Sequence, residues 1–128
     1  MTDDAKILQT PMYVFGAILM VNGFGFMVVP GLTWELSGDP TVGTPGLYRW
    51  SGAWLLALGF GCINAGDNPD AQRSFLSILA MGTILASASL AYNIFTGEFR
   101  GDVWFLAVPL FFSMMFAPLF LWARYKAD

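Results

Sequence analysis

The 128-residue chain contains no histidine. That absence removes histidine-ligated haem and chlorophyll, ordinary zinc sites and imidazole acid-base chemistry together. Cysteine occurs once, as Cys62, which excludes an internal disulfide and a Cys-x-x-Cys redox pair and leaves a buried, inert thiol as the expected state. Charge is also scarce. Six basic and nine acidic residues give a net charge of -3, with a sequence pI of about 4.6. The basic residues form no cluster, which argues against a nucleic-acid partner and against a polybasic lipid anchor. No Asn-x-Ser/Thr acceptor marks one side as external.

The few charges leave four stretches empty: Ile7 to Trp34, Trp50 to Gly66, Ser74 to Gly97 and Val103 to Ala123. A spanning helix needs about 20 mainly apolar residues, and a charge at the bilayer centre costs about 3 kcal/mol on insertion scales. The pattern predicts an all-α integral membrane protein, a single transmembrane domain over residues 1–128, folded as an up-down-up-down four-helix bundle. Spans are expected at about 7–29, 47–65, 71–95 and 103–123, with residues 30–46 as an ordered loop on the membrane surface. The start, Met1-Thr2-Asp3-Asp4, is acidic where a signal peptide is basic, so the first apolar run is expected to be retained as a span.

Turn chemistry supports these limits. Val28-Val29-Pro30-Gly31 ends the first run, Asn68-Pro69 reads as a cap followed by proline at a helix start, with Asp70 and Ala71 continuing the helix, and Asp102 stands where it can cap the fourth helix. Lys6, Arg73, Arg124 and Lys126 fall on one side, whereas Arg49 and Arg100 fall on the other. By the positive-inside rule both termini are then cytoplasmic and the loop 30–46 is outside.

Several residues are candidates for a role. Ala53, Ala57, Gly61 and Ala65 recur every four residues in the second span, beside Gly52, and Gly82 and Ala86 echo that spacing in the third. Such small-xxx-small rows pack helices in lipid, and a second row also suits a partner protein or another copy of the chain. Arg49, between Tyr48 and Trp50, reads as a snorkelling anchor or as an ion-pair or headgroup contact, with Glu35, Asp39 and Glu98 on its side of the membrane. Asn22 and Asn93 lie in the same half and suit interhelical hydrogen bonds or a polar recess. Gly23-Phe24-Gly25 and Gly59-Phe60-Gly61 imitate phosphate loops, but they sit inside apolar runs and follow no strand, so packing is expected of them. Pro109 and Pro118 are expected to kink the fourth helix.

No Asp, Glu or Lys falls inside a span, so proton-coupled transport and general acid-base catalysis lack their usual group. The chain reads as a non-enzyme without cofactor or metal. Small multidrug exporters carry a glutamate in the first helix where this chain has only Asn22, and the threonine-phenylalanine signature of small fluoride channels is absent.

At Leu36-Ser37-Gly38-Asp39-Pro40 and then Leu47-Tyr48-Arg49-Trp50-Ser51-Gly52-Ala53-Trp54 the chain resembles the Erg28-like family of small four-span membrane proteins, whose second helix follows a similar turn with Arg-x-x-Gly-x-Trp. The likeness continues through Asp67, Pro109-Leu110 and Arg124-Tyr125. It implies a non-catalytic scaffold that tethers sterol- or lipid-modifying enzymes by protein binding, with Arg49 and Trp54 among the docking or lipid contacts. The family's third helix usually bears a His and a Glu, whereas this chain has Ala86-Ser87-Ala88-Ser89-Leu90-Ala91-Tyr92. Pro30, Arg49, Gly52 and Gly59 also resemble DoxX-like membrane proteins, which implies an accessory subunit of a quinone-linked oxidoreductase. A small-solute transporter or channel is the remaining alternative. The expected partners are the lipid bilayer and other integral membrane proteins, self-association staying open. The expected location is a bacterial inner membrane or the endoplasmic reticulum membrane.

Overall fold

The computed structural model describes residues 3–39, 45–69 and 72–127. Among them are five helices and no strand: α1 (Asp3–Val28), α2 (Pro30–Ser37), α3 (Pro45–Asp67), α4 (Arg73–Thr96) and α5 (Val103–Ala127). Three of these, α1, α4 and α5, are long and apolar enough to cross a membrane. An apolar run in lipid must satisfy its own backbone, and a helix does so within one segment. The hydroxyls on α4 follow the same rule: Thr83 donates to the carbonyls of Leu79 and Ala80, Ser87 to Thr83, and Thr96 to Tyr92. At 23 residues α3 matches its neighbours in length, but Arg49, Asn64, Asp67 and its glycines dilute its apolar character.

The expected loop 30–46 contains a helix. Pro30 has no N–H to donate back to α1, so α1 stops at Val28, and the same proline stands at the first turn of α2. The Thr33 hydroxyl donates to the Gly25 carbonyl at 2.8 Å and so covers part of the open end of α1. Gly38 closes α2 with φ +71, a left-handed conformation that costs glycine nothing, and its N–H returns to the Glu35 carbonyl. Pro40 and the rest of 40–44 lie outside the described residues. Asp70 and Ala71, expected to open the third helix, also lie outside them; α4 is described from Arg73, after a turn in which the Gln72 N–H bonds to the Pro69 carbonyl. Asp102 caps through its backbone, its carbonyl accepting from the Phe105 N–H, while its own N–H donates to the Ser37 carbonyl at 2.7 Å. That bond ties α2 to the turn between α4 and α5.

The long helices pack as two antiparallel pairs, α1 along α3 and α4 along α5. In the first pair Gln9 lies beside Gly66, Gly16 beside Gly59 and Gly23 beside Gly52, a register that repeats every seven residues. The backbones touch where the glycines meet: a Cβ on Gly16 would stand 2.9 Å from the Gly59 carbonyl oxygen, and one on Gly59 would stand 2.7 Å from that of Gly16. Association in lipid draws on such close van der Waals packing, because tails and side chains are equally apolar. At the end that carries Gln9 and Asp67, the Gln9 amide donates to the Gly66 carbonyl at 3.0 Å and the Tyr13 hydroxyl to the Asp67 carboxylate at 2.5 Å. These bonds serve orphan carbonyls and a charge at the C-terminus of α3.

The two pairs converge on one core at this same end. Leu8, Met12 and Phe15 from α1 meet Cys62 and Ala65 from α3, Leu76, Leu79 and Ala80 from α4, and Phe116, Phe120 and Ala123 from α5. Phe15 packs its ring on Phe116 and Phe120 at centroid distances of 4.9 and 5.3 Å. Cys62 is fully buried there and its thiol donates to the Met12 carbonyl. Arg124 bonds the Ser77 hydroxyl across α5 and α4 just beyond this core.

Candidate functional site

Beyond the core the two pairs separate, because few contacts join them elsewhere. The separation leaves a cavity of about 270 Å³ walled by all four long helices. Phe15, Ile18, Leu19, Asn22 and Phe26 line it from α1, and Leu55 and Leu58 from α3. The α4 wall runs from Ile78 to Ala86 and the α5 wall comprises Pro109, Phe112 and Ser113. Phe15 belongs both to the core and to the cavity, so the core forms its floor. At the opposite end Phe26 stacks on Tyr48 and meets Phe105 edge-on, and Trp34 of α2 leans on Tyr48. Phe99 extends this aromatic roof by stacking on Phe105. Ile78, Gly82 and Asn22 line the cavity and are also exposed, so it opens sideways between helices.

The cavity wall carries no ionisable side chain. Its polar groups are Asn22, Thr83 and Ser113, from three different helices. Thr83 commits its proton to its own helix, and Asn22 spends one amide hydrogen on the Ile18 carbonyl at 2.8 Å. Asn22 therefore bonds within α1, not across to a neighbour, and its carbonyl oxygen remains a free-standing acceptor among the described residues. Asn93 is half-buried on α4 and does not line this cavity.

A second feature lies on the outer face of α3. Gly52 is buried against Met27 and Gly23, whereas Ala53 is only half-buried and Ala57 is exposed. Gly61 faces Phe75 of α4, Gly82 meets nothing within 4 Å, and Ala86 is half-buried at the cavity. Arg49, Trp50, Trp54 and Asn64 are exposed on the same helix as Ala57. Trp50 and Trp54 are exposed by 64% and 60%, which makes them boundary or partner groups and not core. Among the described residues no ion pair joins Arg49 to Glu35 or Glu98, and the Asp39 N–H donates to the Ser37 hydroxyl. The contact between α1 and α3 thus follows a seven-residue register of Gly16, Gly23, Gly52 and Gly59 and not the expected four-residue rows, because only these glycines let the two backbones touch. Among the described residues no group of His, Cys, Asp or Glu is placed to hold a metal ion.

No protein-family model matches the chain, and neither a curated protein nor a solved structure matches it.

Proposed function

We propose that this chain is a non-catalytic integral membrane scaffold, of the kind its Erg28-like residues imply, in which α1, α3, α4 and α5 all cross the bilayer and both ends lie on the cytoplasmic side. The observation that carries the reading is a division of labour on α3. The helix holds α1 through Gly52 and Gly59, which leaves Ala57 with Arg49, Trp54 and Asn64 exposed, and Ala53 half-covered beside them. Lipid alone has no use for outward alanines and an asparagine, while a second helix in the membrane packs closely on small residues and bonds to polar ones. The partner class is another integral membrane protein, and a sterol- or lipid-modifying enzyme is the reading that the motif residues favour.

Purification of the full chain in mild detergent tests this. Recovery of membrane enzymes of lipid or sterol modification, lost on Ala57→Trp while Cys62 stays protected from thiol reagents, is the expected result. Recovery of no such enzyme above background contradicts it.

A further inference from the structure

The cavity belongs to neither the docking face nor the packing of either helix pair, and the chain leaves its apolar walls uncovered. Its setting restricts what can fill it. The core forms its floor, Phe26, packed on Tyr48 and Phe105, stands at the other end, and exposed Asn22, Ile78 and Gly82 mark its open side, so entry is sideways from the hydrocarbon layer. A molecule with an ionised headgroup finds no counter-charge on the wall and would have to strip that group of water. An uncharged oxygen, by contrast, finds Asn22 and Ser113. The volume, about 270 Å³ and open on one side, lies just under the range of about 300–1,000 Å³ that holds small ligands, which suits one ring-bearing body with any tail left in the hydrocarbon layer.

We propose that the cavity between the two helix pairs binds one uncharged membrane lipid, compact in body and ending in a hydroxyl or carbonyl oxygen, with Asn22 and Ser113 facing that oxygen. Aromatic walls from Phe15, Phe26 and Phe112 suit a flat ring. Sterols and quinones share this chemistry. The site is independent of which protein docks on α3.

Photolabelling of the full chain in phosphatidylcholine nanodiscs decides the matter, with three probes: a photoreactive sterol, a photoreactive isoprenoid quinone and a photoreactive phosphatidylcholine. One uncharged probe is expected to label peptides within 15–26, 78–86 or 109–113, and its unlabelled parent is expected to compete. The sterol and quinone arms separate the two sources. Gly82→Leu adds bulk at a cavity-lining position with open space around it, and it is expected to cut labelling at least fivefold. Asn22→Leu is a second variant, expected to weaken competition by the parent lipid with Cys62 still shielded, so the site is tested even if the leucine at position 82 disturbs folding. Equal labelling by phosphatidylcholine overturns the proposal. So does undiminished labelling in both variants.

Discussion

A β-carbon on Gly23 would stand 2.8 Å from the carbonyl oxygen of Gly52, and one on Gly52 would stand 2.6 Å from the carbonyl oxygen of Gly23. Each glycine thus makes room for the other's backbone. Gly23→Ala or Gly52→Ala forces the helices apart and is expected to destabilise the fold by about 1–3 kcal/mol, the usual cost of overpacking. Gly82→Ala, with nothing within 4 Å, is the neutral control. The rate at which a maleimide reaches Cys62, fully buried between α1 and α3, reads the difference: faster in the first two variants, unchanged in the third.

Tyr13→Phe removes the bond to the Asp67 carboxylate and nothing else of that ring. Because Asp67 is exposed, the expected loss is small, about 1 kcal/mol. Asp67→Asn keeps an acceptor and should cost less. Thermal unfolding of the detergent-solubilised chain measures both.

Gly38→Ala places a side chain on a left-handed residue at φ +71 and sets its Cβ 2.7 Å from a carboxylate oxygen of Asp102. The conformational part alone costs about 1–2 kcal/mol. Hydrogen exchange at the Asp102 amide, now bonded to the Ser37 carbonyl, is expected to rise about tenfold or more, since about 1.4 kcal/mol is a factor of ten. Gly97→Ala, left-handed but with open space around it, should leave that amide slower than Gly38→Ala does.

Much of this architecture was legible in advance, and for a physical reason. A charge inside a helix that crosses lipid is expensive, so the charge-free stretches fall on the long helices α1, α3, α4 and α5, although the first runs past the end of α1 into α2. The short helix α2 was not read: Pro30 and Gly38 are the usual first-turn proline and closing glycine, but a turn-rich composition made the eight-residue element look like loop. The cavity was not legible. It arises because two pairs that pack tightly within themselves separate beyond Phe15, and no spacing within a single helix records the distance between pairs.

Whether α3 crosses is open to direct measurement, since α3 has the most diluted apolar character of the four. Single cysteines at Lys6, Glu35, Asn68 and Glu98, all exposed, should label from two sides: positions 6 and 68 from the cytoplasm, 35 and 98 from outside. Labelling of 35 and 68 from the same side would mean that α3 lies along the surface.

The docking face proposed on α3 has the most direct test of all, a photocrosslinking amino acid placed at Ala57 in the full chain in its native membrane. Phe111, exposed on α5, carries the same group as control. The scaffold reading predicts covalent adducts with other integral membrane proteins from position 57 and none of these from position 111. Adducts only to lipid or to a second copy of the chain, or the same adducts from both positions, would contradict it.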